Sequence, residues 1–145
     1  MKVYTQEQGG RVIVIRLNRG DLLRESIEQV IKDEQIMDGT IVCGFGALET
    51  TALHLVKNYD VHPPKEVFPK YEQDPYELCS LQGVIADGVP HIHAVMSNDS
   101  RAIGGHLELG CIVSYLTEVV IIEHKNLKLT RKATEWGPMA LEEKE

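Results

Sequence analysis

The alternation of apolar and polar residues along the chain predicts several β-strands. Arg11–Leu17 (RVIVIRL) is rich in β-branched residues and is expected to form a strand buried on both faces or nearly so. Thr40–Val56 (TIVCGFGALETTALHLV) returns to a similar composition, but Gly44 and Gly46 interrupt it. Glycines inside a strand pattern favour a bend or a close backbone approach. We therefore predict two strands joined at Gly44-Phe45-Gly46.

One segment has the spacing of an amphipathic helix instead. Four apolar residues repeat at the spacing of a single helical face: Leu23, Ile27, Val30 and Ile31. Asp21 is a favourable N-cap before them, and Gly39 lies just past their end. The pattern predicts a helix over about residues 21–37 that covers a sheet.

Turn signals divide the rest of the chain. Asp87-Gly88 separates two strand-like runs and predicts a hairpin, and a second hairpin is expected at Asn98-Asp99-Ser100. Residues 58–75 are polar and rich in proline, which is typical of a long surface loop without regular structure. Cys111–Lys132 is further strand material, although Gly104–Leu116 is also compatible with a short helix.

The order of these elements predicts an α+β fold with a mostly antiparallel β-sheet and one main amphipathic helix packed on it. The chain has 145 residues, which is enough for a single core and too few for a second independent domain. We assign residues 1–133 to this domain. Residues 134–145 lose periodicity and end in charges, so they are predicted to form a flexible C-terminal tail.

Composition limits the classes of function. The net charge of −7 counts against broad affinity for nucleic acids, because phosphate binding depends on Lys and Arg. The most basic segment is interpreted as a solvated strand end; it contains Lys125, Lys128, Arg131 and Lys132. No apolar run approaches the roughly 18 residues of a membrane span, and the N-terminus has no signal-peptide pattern. We therefore expect a cytoplasmic protein without a membrane partner.

The cysteines are not expected to carry chemistry. Cys43, Cys79 and Cys111 are odd in number, far apart and set in apolar, strand-like surroundings. These features favour buried, reduced thiols over disulfides or zinc-thiolate ligands.

Three of the six histidines fall close together, at His91, His93 and His106. On a strand, the first two point to the same side with Cα atoms about 6.6 to 7 Å apart. A two-residue turn at Asp99-Ser100 pairs His106 with His93, and one at Asn98-Asp99 pairs it with His91. A three-residue turn places His106 on the opposite face, unless the preceding double glycine supplies a bulge. Several geometries therefore bring the three rings to one face.

Three neutral imidazoles suit zinc with a fourth position left for water, although nickel, iron(II) or cobalt use the same ligands. Water on that position is acidified and nucleophilic. Ligand histidines usually donate their other N–H to a carboxylate; Glu108, Glu118 and Glu123 are the candidates, with Glu118 preferred. The remaining histidines are interpreted as ordinary surface or strand residues: His54, His62 and His124.

Several segments together resemble the PPC domain, the "plants and prokaryotes conserved" module. They are GRVIVIRLNRGDLLRESIEQVI, GTIVCGFGALETTAL, YELCSLQGVI, PHIHAVMS, GGHLELGCIV and TEVVIIE. The resemblance covers about Val3 to Glu123, and His-x-His followed by Gly-Gly-His is its specific signature. It implies an α+β subunit that assembles as a homotrimer, with a metal on His91, His93 and His106.

The resemblance also has implications for DNA and for catalysis. In plants the module accompanies AT-hook segments, and prokaryotic members carry a DNA-binding label on that analogy. This acidic sequence has no such arm, which counts against DNA as a partner. The fold further resembles acetolactate decarboxylase, a zinc enzyme with a His-x-His and a later His, but a fold-level analogy names no substrate.

These features support three hypotheses about function. The first is a homotrimeric, zinc-like metal-binding protein of undefined physiological role. The second is a metal-dependent lyase or hydrolase acting on a small carbonyl or ester substrate, with Glu118 or Arg101 as polar helper. The third is a DNA-associated scaffold that acts through protein contacts.

Overall fold

Runs of β-branched residues build most of this chain into strands. The computed structural model describes residues 1–7, 10–58, 64–135 and 137–144. Its helix α1 spans Leu23–Asp33. Its strands are β1 (Lys2–Glu7), β2 (Arg11–Asn18), β3 (Gly39–Val56), β4 (Glu66–Val67), β5 (Lys70–Ala86), β6 (Val89–Ser97), β7 (Ala102–Leu107), β8 (Ile112–Glu123), β9 (Leu129–Ala133) and β10 (Met139–Glu143).

The main sheet is curled, and β3 lies at its centre. The strand order is β1-β2-β8-β3-β5-β6-β7, with β4 also paired to β3. The end of β3 pairs with β7 as well, at Leu53↔Leu107 and His54↔His106, so the far edge of the sheet returns to its middle. The pairings between the described strands are antiparallel. The predicted α+β class is confirmed.

The core lies between the inner face of the sheet and α1. The helix buries Leu23, Ile27, Val30 and Ile31, the four residues that its sequence pattern selects. In β2, Ile13, Ile15 and Leu17 are fully buried and the residues between them are only partly so. Strand β2 is thus fully buried on its inner face and partly buried on its outer face, which agrees with the predicted burial on both faces or nearly so.

The helix is shorter at both ends than predicted. Leu22 rather than Asp21 occupies the N-cap position, and no side chain caps the helix there. Asp21 instead accepts a hydrogen bond from the backbone N–H of Asn18 at 2.9 Å. At the other end Gln35 adopts a left-handed conformation (φ 55°), several residues before Gly39. The helix thus begins after Asp21 and ends well before Gly39, and neither of these residues caps it.

Strand β3 is continuous through Gly44-Phe45-Gly46, so the prediction of two strands is wrong. The glycines allow a bend and a close approach instead. Gly46 has φ +153°, and a Cβ there would lie 2.4 Å from the Leu116 carbonyl oxygen of β8. The register between β3 and β8 shifts on both sides of this contact.

The structure confirms one of the remaining predictions for turns and loops and contradicts others. The hairpin at Asp87-Gly88 is confirmed, with both residues in the left-handed region. The region 58–75 is not without regular structure, because it contains β4 and the start of β5. The short helix considered over Gly104–Leu116 is absent, since β7 and β8 occupy most of those positions. Strand β10 likewise lies within the segment predicted as a flexible tail.

The cysteines are free, as predicted, but only Cys111 is buried; Cys43 and Cys79 are exposed because they occupy outward positions of their strands. Burial raises the pKa of the Cys111 thiol to about 11. Within the described residues, no helix has the length and apolar character needed to cross a membrane.

Replacing Gly46 by alanine is expected to destabilise the protein more than replacing Gly20 by alanine. Both glycines have positive φ, +153° and +87°, so both substitutions strain the backbone. A new Cβ at Gly46 would also overlap β8, whereas nothing lies within 4 Å of one at Gly20. We expect the difference in unfolding free energy to be about 1–3 kcal/mol, measured by urea titration. Equal losses would contradict the close contact.

Candidate metal centre

Strand β6 presents two histidines on the outer face of the sheet. Ile92, Ala94 and Met96 alternate with them and are buried in the core. Because successive side chains of a strand point to opposite faces, His91 and His93 both project away from the core. The sequence pattern PHIHAVM therefore determines the side on which this pair lies.

The hairpin between β6 and β7 brings His106 to the same side. The backbone N–H of Asn98 donates to the Arg101 carbonyl at 2.9 Å, so Asp99 and Ser100 form the turn. His93 and His106 are direct cross-strand partners, the register predicted for a two-residue turn at this position. The Asn98 side chain fixes the turn by accepting from the backbone N–H groups of Ser100 and Arg101.

The double glycine before His106 does not form a bulge. The register continues without a shift through Ala94↔Gly105 and Val95↔Gly104. A Cβ at Gly105 would lie 2.8 Å from the His54 carbonyl oxygen of β3. The missing side chain thus allows β7 to approach β3.

The three predicted rings lie close together on one side of the hairpin. The ring centroids of His91 and His93 are 5.1 Å apart, those of His91 and His106 are 5.1 Å apart, and those of His93 and His106 are 5.6 Å apart. The structure therefore brings together the residues that the sequence selected.

A fourth histidine, His54, also lies in this group. It pairs with His106 across β3 and β7, and its ring centroid is 5.8 Å from that of His106. His54, His106 and His93 thus form one lateral row across three strands, stacked at its end on Phe68 with 4.6 Å between centroids. The interpretation of His54 as an ordinary surface or strand histidine omits this nearness to His106, because no local pattern reveals the long-range pairing of β3 with β7. Of the other two, His124 contacts Thr40 and His62 lies outside the described residues.

Glu108, rather than the preferred Glu118, is the carboxylate beside the rings. Its Oε1 lies 3.0 Å from Nδ1 of His106 and 3.8 Å from Nδ1 of His54. Potential ligand atoms of His54, His106 and Glu108 all lie within 4.8 Å of one another. Arg24 holds the other carboxylate oxygen at 3.2 Å.

The remaining predicted helpers are located elsewhere. Glu118 is exposed on β8, opposite Arg16 of β2. Glu123 pairs with Arg11 at 2.8 Å. Arg101 binds Asp74 and the Tyr76 hydroxyl beside the β6–β7 turn.

The surroundings favour neutral imidazoles. Burial, followed by the positive charge of Arg131, lowers the pKa of His91 to about 4. Burial also lowers the pKa of His106, although Glu108 acts in the opposite direction. Neutral rings keep a nitrogen lone pair, which is the form that binds metals.

A pocket of about 700 Å³ opens beside the rings and extends over β7. It is lined by His54, Leu55, Val56, Asn58, Pro64, Glu66, His91, His93, Gly105, His106, Gly137 and Pro138. The histidines therefore border a space large enough for a small molecule.

The family follows from comparison with known domains. The family model of the Plants and Prokaryotes Conserved domain matches residues 4–125. This domain is abbreviated PCC or PPC. The chain belongs to this family. The matched range includes the histidines and Glu108, so the site is built within the PCC domain itself.

Solved structures share this PCC fold. A PPC protein from Pyrococcus horikoshii is 26% identical, with 99% of this chain and 96% of that chain covered and a TM-score of 0.75. A metal-containing protein from Archaeoglobus fulgidus is 22% identical, with 96% of each chain covered and a TM-score of 0.76. A protein from Bacteroides thetaiotaomicron, named as a candidate DNA-binding protein, is 17% identical, with 97% and 96% covered and a TM-score of 0.81. The last two likenesses show the fold alone.

The chain is also similar to one part of a larger curated protein. The bifunctional protein GlmU of Synechococcus sp. (strain JA-3-3Ab) is 24% identical over 123 residues. The match covers 84% of this PCC chain but 18% of that protein. The chain therefore spans less than a fifth of the length of this relative.

Chelator-treated protein is expected to lose stability as the pH falls. Unfolded histidine takes up a proton near pH 6.5, whereas folded His91 does so only near pH 4. Between about pH 6.5 and pH 4 the unfolded chain binds more protons than the folded chain. The unfolding free energy therefore keeps its full value above about pH 6.5 and decreases as the pH falls towards about 4. Urea titrations at several pH values measure the slope. His91→Gln should reduce it, and an unchanged slope in that variant would contradict the assignment.

Proposed function

We propose that this PCC-domain protein is a homotrimeric, cytoplasmic metal-binding protein in which His91, His93 and His106 hold a divalent, zinc-like ion. The observation that carries the proposal is the convergence of the three rings, with centroids 5.1 to 5.6 Å apart. The metal-containing relative with the same fold supports it.

The spacing between the ring centroids supports a shared ion, although the ligand atoms found within 4.8 Å of one another among the described residues are those of His54, His106 and Glu108. With Zn–N bonds of about 2.0–2.1 Å, three imidazoles in tetrahedral directions have ring centroids about 5 Å apart. Three neutral nitrogens leave a fourth position for water or a substrate atom, the pattern of catalytic rather than closed structural zinc sites.

Glu108 fits the role of an orienting carboxylate better than that of a ligand. When Nδ1 of His106 donates to Glu108 at 3.0 Å, its Nε2 is left with a free lone pair. The Arg24 guanidinium, which also donates to the Leu107 carbonyl, holds Glu108 in this position. His106 would thus be fixed in both tautomer and ring orientation.

Exposed apolar side chains support assembly. Phe45, Tyr115 and Leu116 lie on the neighbouring strands β3 and β8 and expose 50%, 77% and 51% of their surface. Exposed apolar side chains on neighbouring strands are typical of a contact between subunits. In a symmetric ring of three copies, each subunit would cover these side chains on a neighbouring subunit.

The pocket favours a second candidate function, a metal-dependent lyase or hydrolase acting on a small carbonyl or ester substrate. A bound divalent ion would polarise the substrate oxygen or acidify a water molecule. His54 and Glu66 line the pocket with Nε2 and Oε1 3.3 Å apart, so this chain supplies a polar pair beside the space for a substrate.

Purified protein is expected to contain about one zinc-like ion per chain by elemental analysis, because three imidazoles converge. His93→Ala should abolish the metal, while His54→Ala, a change in the same lateral row, should retain it. Light scattering should give the mass of a trimer for both variants. Background metal in the wild type would overturn the proposal and its enzymatic alternative; loss in His54→Ala alone would move the site to His54, His106 and Glu108.

DNA association is the remaining alternative, suggested by the names of structural relatives. The net charge of −7 counts against it. A gel shift at about 150 mM salt should show no binding to random or AT-rich duplexes. Tight binding with a steep salt dependence would contradict this expectation.

A further inference from the structure

The β9–β10 ribbon is attached beside the histidines. Within the described residues its strands pair only with each other. Its base is anchored by Asp38, which is 7% exposed and accepts from the Leu129 backbone N–H at 2.8 Å. The Lys144 backbone N–H also donates to the Lys128 carbonyl at 2.8 Å, which closes the base.

The ribbon forms a wall of two cavities that share His91 and His93. Gly137 and Pro138 border the pocket described above. A second cavity of about 540 Å³ extends over β5 and is lined by Thr40, Ile41, Val42, Gln82, Gly83, Val84, His91, His93, Arg131 and Leu141. The histidine pair therefore lies between the two spaces.

Arg131 of the ribbon lines the second cavity together with this histidine pair. Its Nη2 lies 3.5 Å from the carbonyl oxygen of Val84, and Val84 is the cross-strand partner of His91. The positive charge of Arg131 also lowers the pKa of His91, and among the causes of that shift it is second only to burial. The guanidinium is thus a neighbour of the proposed metal ligands.

The guanidinium lacks the partners that a half-buried cation normally has. Its Nε is buried and donates no hydrogen bond, and the contact with Val84 is long. Among the described residues Arg131 pairs with no carboxylate, whereas Lys132, the next residue of β9, pairs with Glu142 at 3.0 Å. A buried charged donor without an acceptor is costly unless a ligand supplies one.

We propose that Arg131 is the anion-binding residue of this site and that the site takes a small organic monocarboxylate. The carboxylate matches the planar fork of the guanidinium, and its carbon chain would extend past the histidines. That this ligand lies beside a metal rests on the function proposed above; recognition of its carboxylate by Arg131 does not.

The residues that line the two cavities favour a monocarboxylate over a phosphate as the ligand. Arg131 is the one Lys or Arg among the described residues that line the two cavities, so apart from the proposed ion the protein itself offers a single full positive charge. A phosphate, with close to two negative charges, calls for more cations or a set of backbone N–H donors. Val42, Val84 and Leu141 line the same cavity as Arg131 and provide apolar surface for a short carbon chain.

The test is calorimetric titration of the zinc-loaded and the chelator-treated protein with butyrate, its neutral isostere butyramide, and inorganic phosphate. Butyrate should bind, and the other two should bind at least about tenfold more weakly, because each lacks the single carboxylate. Arg131→Met should weaken butyrate binding about tenfold or more with zinc content unchanged. Arg131→Lys should weaken it several-fold, because the charge stays and the fork is lost.

Lys132→Met is the matched control, since it removes a positive charge from the adjacent position on the same strand and should leave butyrate binding unchanged. Equal butyrate affinity in wild type and Arg131→Met would overturn the inference, as would undetectable binding to the wild type or tighter binding of phosphate. If Arg131→Met does not fold, a butyrate affinity of Arg131→Lys equal to that of the wild type would overturn the inference instead. Wild-type protein that purifies with only background metal and still binds butyrate through Arg131 would overturn the metal proposal alone.

Discussion

The pairing of the end of β3 with β7 is the constraint on which the site depends. It aligns His54 with His106, and the β6–β7 hairpin aligns His106 with His93. The glycine before His106 makes this approach sterically feasible, because its missing Cβ leaves room for the β3 backbone. Without the closure, His106 would occupy a free edge of the sheet, and Glu108 would not lie between two imidazoles.

Local sequence patterns predicted the features of the site that depend only on residues nearby in the chain. The alternation in β6 sets the side of His91 and His93, and the turn at Asp99-Ser100 sets the register of His106. Both depend on residues within one hairpin. His54 is about fifty positions away in sequence, and only the closed sheet brings it to the group, so no pattern around it could have revealed its role.

The same reasoning explains the errors. Glu118 follows the histidines in the chain, but β8 lies on the other side of β3 from β5 and β6, so its exposed carboxylate is remote from the rings. Helix α1 is not capped by Asp21, whose side chain accepts from the Asn18 backbone N–H instead, and it ends at Asp33, well before Gly39. Strand β10 has no alternating apolar face, because it packs against little more than β9, and its pattern therefore resembles that of a tail.

The lateral row of imidazoles has a consequence for how this site changes during evolution. In a strand, insertion or deletion of one residue turns every following side chain to the opposite face. A length change within β3, β6 or β7 ahead of a histidine would therefore direct its ring into the apolar interior. Such a site diverges by exchanging side chains at fixed positions, and gains and losses of residues are confined to the connecting segments.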